Sequence, residues 1–220
     1  MKAVFVTALV VTASVVTTSA MAQSHAPTAT TCTCADAKVH GGWCTACKVG
    51  YVAGVKITSH KLFEAVQGKP VADVSKMKCP DCKAAFKNGG FCQHCNVGFV
   101  GHKAYKSKVG YALARGQAKD PASLKSIKCP KCKAAAAAGQ GWCKMCSMGI
   151  VGNLVFTDKQ AYEAAVKARA TLVAANKLTD KCEGCAVAMV TDGTCKHCKV
   201  AFKDGKPQMK MGGMRHKAKP

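Results

Sequence analysis

The chain has 220 residues, 33 Lys+Arg against 11 Asp+Glu for a net charge of +22, 16 Cys and only 13 aromatics. That imbalance disfavours an enzyme built on paired carboxylates and favours contact with anionic partners. So many cysteines beside so few aromatics describe small stapled modules better than one large apolar core.

The first 22 residues read as an export signal. Met1-Lys2 is a short positive stretch, residues 3–16 are uncharged and apolar, and Ala20-Met21-Ala22 before Gln23 is a small-x-small cleavage pattern. Removing residues 1–22 takes Lys2 away and leaves a charge of +21. Nothing later is apolar for long enough to span a membrane, so the processed protein is expected to have no transmembrane segment and to be periplasmic or secreted. Residues 23–31 read as a linker.

Four cysteine units follow, at residues 32–78, 79–128, 129–181 and 182–204, with a basic Met- and Lys-rich tail at 205–220. Their ligand candidates are Cys32, Cys34, Cys44 and Cys47; Cys79, Cys82, Cys92 and Cys95; Cys129, Cys132, Cys143 and Cys146; Cys182, Cys185, Cys195 and Cys198. The groups begin 47, 50 and 53 residues apart, a period that points to an array of similar units. A glycine and an aromatic precede the third cysteine in Gly42-Trp43, Gly90-Phe91 and Gly141-Trp142, with Gly193-Thr194 a weaker copy. Glycine beside a Cys pair permits a tight hairpin, and the runs after the fourth cysteine (Val49-Gly50-Tyr51-Val52 in the first unit) read as short strands. A helix is expected after each of the first three hairpins. Ser59 and Ser107 are its N-caps in units one and two, with Gly68 and Gly116 as stops. In unit three, Thr157 and Gln160 have capping-box spacing, and Tyr162, Val166, Ala170 and Val173 form an apolar stripe. Phe63, Tyr111 and Tyr162 are expected to pack these helices onto the hairpins, and the segment from Lys203 onward is expected to be disordered.

Seven of the eight pairs are C-x-x-C, and two are written Cys79-Pro80-Asp81-Cys82 and Cys129-Pro130-Lys131-Cys132. Two intervening residues let one turn aim two sulfurs at a single cation, and two facing turns complete a tetrahedral site. In this the chain resembles the zinc-ribbon and rubredoxin-like knuckle proteins, over about 16 residues of each unit. The resemblance implies a small metal-stabilised α+β protein: a tandem array of four zinc-ribbon-like β-hairpin units, the first three followed by a short helix. It implies about four zinc ions per chain. Cys32-Thr33-Cys34 departs from the pattern, and Lys48, Lys83, Asn96, Lys133, Ser147, Ala186 and Lys199 stand where such knuckles often carry glycine. Iron or copper thiolates and disulfides remain open readings, the last because exported cysteines normally oxidise. Thioredoxin-like exchange wants a C-x-x-C opening a helix in a βαβ context, which units this short do not promise. Lysines beside the cysteines, such as Lys83 and Lys133, would favour the thiolate form. Trp43, Phe91 and Trp142 are expected to shield the metal, and His94 and His197 to face solvent.

A four-thiolate zinc site has no open position for water, so these sites read as structural and no catalytic residue is named. The leading expectation is a non-enzymatic binding module for an anionic partner: polysaccharide, nucleic acid, lipid head group or acidic protein. An alternative is a cell-envelope metal buffer or chaperone for zinc or copper, with Met209, Met211, Met214 and His216 as a possible soft-metal tail. A disulfide-stapled or thiol-redox protein is a third. The sequence carries no signal for oligomeric state.

Overall fold

The computed structural model describes residues 32–208. The expected export signal, the expected linker and the Met209, Met211, Met214 and His216 cluster lie outside the described residues.

The cysteine pairs are not joined by bare hairpin loops. The stretch between the second and third cysteine of each unit holds a helix: α1 (Cys34–His40), α3 (Pro80–Asn88), α6 (Pro130–Ala137) and α8 (Glu183–Thr191). Pro80 and Pro130 stand at the first helical position, where their fixed φ suits a helix and no N–H is missed. The alanines that follow are strong helix formers. Positive-φ residues follow these helices: Gly41, Gly89, Gly139 and Asp192. Positive φ therefore falls one residue before Gly42, Gly90 and Gly193, and two before Gly141.

Small antiparallel sheets follow: β1 (Gly42–Cys44), β2 (Val49–Val52) and β3 (Val55–Ile57); β5 (Phe91–Cys92), β6 (Val97–Val100) and β7 (Lys103–Tyr105); β9 (Gln140–Cys143), β10 (Met148–Val151) and β11 (Leu154–Phe156). The second of these gains β4 (Lys69–Pro70) beside β7, and the third gains β8 (Gln117–Ala118) beside β11. The chain leaving one unit thus lends an edge strand to the next. Helices α2 (His60–Val66), α4 (Lys108–Ala114) and α7 (Lys159–Leu178) come after the three sheets, and α5 (Pro121–Lys125) precedes α6. A last hairpin, β12 (Ala201–Lys203) with β13 (Lys206–Gln208), extends the ordered chain past the expected tail boundary at 205 and corrects the expectation of disorder from Lys203.

Strand alternation divides each of these sheets into two faces. In the first, Cys44, Val49 and Tyr51 pack with Ala37 of α1, while Gly50 faces α2, where a Cβ would collide with the Phe63 ring. Gly98 and Gly149 leave the same room for Tyr111 and Tyr162. Trp43, Phe91 and Trp142 lie on that helix-facing side, 5.5, 5.3 and 5.5 Å from Phe63, Tyr111 and Tyr162. They stack the sheet on its helix and sit away from the sulfurs, which corrects their assignment as metal shields.

The inner faces meet in one apolar cluster containing Ile57, Leu62, Leu113, Val151, Phe156, Leu172, Val190 and Phe202, residues from all four units. The expectation of modules without a common core fails because α7 is 20 residues long and reaches across them. Its buried face is Ala161, Ala165, Ala168, Leu172 and Ala175, not the expected stripe: Tyr162, Val166 and Val173 are only partly buried and Ala170 is exposed. Small alanines let neighbouring helices approach closely, so the packed face is the one with the smaller side chains. The α7 cap is Asp158, whose carboxylate accepts from the Ala161 N–H at 2.5 Å, in place of Thr157. Ser59 and Ser107 cap as expected. Gly68 and Gly116 follow helix ends without positive φ; their missing Cβ atoms make room for the rings of Tyr105 and Phe156.

Candidate metal centres

Each group of four cysteines converges. The sulfurs of Cys32, Cys34, Cys44 and Cys47 all lie within 4.8 Å of one another, and so do those of the three other groups. A tetrahedral zinc with Zn–S bonds of about 2.3 Å requires sulfurs about 3.8 Å apart. The Cys79–Cys92 separation is 3.9 Å, Cys129–Cys143 3.7 Å, Cys182–Cys195 3.7 Å and Cys182–Cys198 3.6 Å. In the first group Cys32 lies 3.4 Å from Cys47 and 4.0 Å from Cys44. All sixteen are free thiols, grouped as quartets rather than pairs. A soft, four-sulfur, tetrahedral donor set fits a thiophilic cation such as zinc.

The two pairs of a quartet are built differently. The first pair opens a helix: Cys79, Cys129 and Cys182 are N-cap residues, and Cys82, Cys132 and Cys185 occupy the third helical position. In the first unit the missing residue puts Cys34 at the first helical position instead, and the quartet still closes. The second pair forms a tight turn ending in a left-handed residue: Lys48 (φ 51°), Asn96 (53°), Ser147 (45°) and Lys199 (57°). The turn that glycine often serves is made here by side-chain-bearing residues at modest strain. Lys83, Lys133 and Ala186, after the first pairs, are helical and need no such turn.

Backbone N–H groups aim at the sulfurs. Those of Cys95 and Cys198 lie 3.4 Å from the sulfurs of Cys92 and Cys195. Such bonds favour thiolate. The N–H of Cys47 holds Cys44 down to about 6, that of Cys132 holds Cys129 down to about 7, and that of Cys198 holds Cys195 down to about 7. Cys79 is lowered by the N–H of Cys82. The main pull comes from the backbone and not from Lys48, Lys83, Lys133, Lys144, Lys196 and Lys199, all of which are exposed. Burial pushes Cys82, Cys132 and Cys185 up, and contact with Cys47 above all pushes Cys34 to about 12. Without a cation the quartet therefore shares protons unevenly; a dication would remove that unevenness by stabilising every thiolate at once.

Helix-opening pairs meet one requirement that the sequence did not promise for thiol exchange. The other is missing among the described residues, where the sheets are antiparallel and no βαβ unit surrounds the pairs. His94 and His197 are exposed, with His197 Nδ1 3.5 Å from Cys198 Sγ. Among the described residues no helix is long and apolar enough to cross a membrane.

What the sequence missed is how the fourth unit is held. Ser59 Oγ donates to Glu183 Oε1 at 2.7 Å and Lys61 Nζ to Glu183 Oε2 at 2.8 Å. Ser107, fully buried, donates to the Val190 carbonyl at 2.5 Å. Both N-cap serines thus grip α8, and no local pattern marks a hydroxyl for a partner 83 or 124 residues away. Compared with known proteins, the chain matches no family model, no curated protein and no solved structure.

Proposed function

We propose that this is an exported zinc protein whose four tetrathiolate sites are structural, and that the folded array is a non-enzymatic, zinc-ribbon-like binding module for an anionic partner. The observation that supports it most directly is the convergence of four sulfur quartets at separations close to a tetrahedral edge. Four thiolates fill a zinc ion's coordination, so the ion organises chain and offers no site for activating water. Each Zn(Cys)4 unit carries −2, so four would leave the processed chain at about +13, still strongly basic. Lysines far outnumber arginines, which suits diffuse attraction to a polyanion over bidentate recognition.

Native mass spectrometry with elemental analysis tests the first half. The expected result is about four zinc ions per chain, and chelation that unfolds the protein, because structural zinc supplies on the order of 10 kcal/mol per site. Eight disulfides without metal, or a fold indifferent to chelators, would refute it. Binding to heparin, an acidic polysaccharide, tests the second half: affinity should fall steeply with salt.

One observation favours a second reading, an envelope metal buffer or chaperone. The last cysteine of every quartet, Cys47, Cys95, Cys146 and Cys198, is exposed. A partner thiol could attack there and draw the ion out. Fast exchange of isotopically labelled zinc in the folded protein would select this reading.

A further inference from the structure

A cleft of about 570 Å³, within the size range of small-molecule sites, is lined by residues of the first three units. It is walled by α1, α5, α6 and the β2–β3 and β10–β11 turns. Three exposed cations, Lys38, Lys125 and Lys133, come from three different helices, and among the described residues no carboxylate lines the cleft. The floor is apolar: Tyr51 and Leu124 are buried, and Ala136 is half-buried. Lys38 Nζ stands 5.7 Å from the centre of the Tyr51 ring, which it can approach without losing its charge to a partner.

The walls are fixed in place. Asn153, from the β10–β11 turn and 8% exposed, donates its amide N–H groups to the Lys38 and Val39 carbonyls at the end of α1. Gly152 packs so closely on Ala53 that any Cβ would collide with its carbonyl, and Arg169 Nε of α7 donates to that same oxygen at 3.1 Å. The first and third units are thereby pinned across the cleft, and the site exists before any ligand arrives.

We propose that this cleft binds a small organic anion: a carboxylate or sulfonate held among the three lysines, with an aliphatic or aromatic body resting on Tyr51, Leu124 and Ala136. Uncompensated positive charge selects the anion. The apolar floor selects against bare inorganic ions and heavily hydroxylated sugars, which gain nothing from it and lose hydration. The inference goes beyond polyanion binding, which needs only charge spread over the surface.

The test uses the zinc-loaded full chain and isothermal titration with decanoate, decanol and inorganic sulfate. Decanoate should bind saturably at one per chain, with the other two at least tenfold weaker. The K38Q/K125Q/K133Q variant should bind decanoate at least tenfold more weakly at unchanged zinc content, whereas K87Q/K181Q/K203Q, away from the cleft, should match the parent. Absent decanoate binding, equal binding of decanol, or equal losses in the two triple variants overturns the proposal. Heparin binding is read in parallel. Decanoate failing while heparin binds in a salt-sensitive manner sinks the cleft alone; heparin failing while decanoate saturates sinks the polyanion reading alone.

Discussion

The fourth cysteine quartet and the first three occupy different places in the architecture. Quartets one to three lie on the outer faces of their sheets; small apolar clusters there take in Cys44 in the first unit and Cys82 and Cys92 in the second, while that of the third is built on Ala135, Ile150 and Val155. The sheet separates them from the shared interior. Among the described residues the fourth has a two-stranded hairpin with no helix after it, and it enters the common core directly, through Ala186 and Val190 of α8 and through Cys195 itself. Stapling and core formation are separate tasks in the first three units and a single task in the fourth. A defect at the fourth quartet should therefore spread through the molecule, and a defect at the others should stay local.

The most disruptive way to break this comparison is to remove one ligand from each kind of site. Cys195→Ser and Cys92→Ser delete equally buried sulfurs, 1% and 2% exposed. Each should lose one zinc and cost roughly 4–5 kcal/mol or more. Hydrogen exchange tells them apart. Cys195→Ser should deprotect α2, α4 and α7 along with α8, while Cys92→Ser should deprotect α3, β5 and β6 and leave α7 protected. Identical exchange maps would show that the quartets are equivalent and that the distinction between outer and inner sites has no energetic content.

Apolar truncation sharpens the same contrast at lower cost. Leu172→Ala empties a fully buried position on α7, and Ile150→Ala does the same on the outer face of the third sheet. Both should cost about 2–5 kcal/mol. Leu172→Ala should lower the melting temperature of the whole chain and speed zinc release from the fourth site, whereas Ile150→Ala should speed release from the third alone. If Ile150→Ala loosens the fourth site as much, the sheets transmit what they are argued to insulate.

The sixteen cysteines made the sites readable from sequence, because C-x-x-C spacing constrains where two sulfurs can point whatever surrounds them. Strand positions were readable because apolar runs such as Val97-Gly98-Phe99-Val100 follow the fourth cysteine; that Gly98 makes room for the Tyr111 ring was not. The helices α1, α3, α6 and α8 were hidden because a nine- or ten-residue interval fits a hairpin loop as well as a helix, and a cysteine gives no propensity signal for either. Proline after the first cysteine and alanine after the second were the available clues in units two and three. The common core was hidden in alanine. Ala165, Ala168 and Ala175 are buried through helix–helix approach, which depends on partners distant in sequence, and weighting the larger Val166 and Val173 shifted the stripe by one residue. Ser59 and Ser107 were legible as caps, and their grip on α8 was not, since it exists only once four units have assembled.

The smallest test addresses that grip from the exposed side. Glu183 joins Lys61 and Ser59 to the start of α8, but the Lys61 side chain is 75% exposed and that of Glu183 36%, so solvent screens the pair. Glu183→Gln should cost under about 1 kcal/mol, and less in high salt. Lys61 chiefly, and then Ser59, hold the Glu183 carboxyl below its ordinary 4.5. A depressed carboxylate stabilises the fold above its unfolded value and loses that contribution as pH falls through the folded one. The difference between parent and variant should therefore be flat from about pH 6 to 8 and shrink only in acid, below about pH 4.5. A difference that grew across the neutral range would place the effect on a group titrating there, and the thiolates beside Cys182 would then be the part of the fourth site that Glu183 supports.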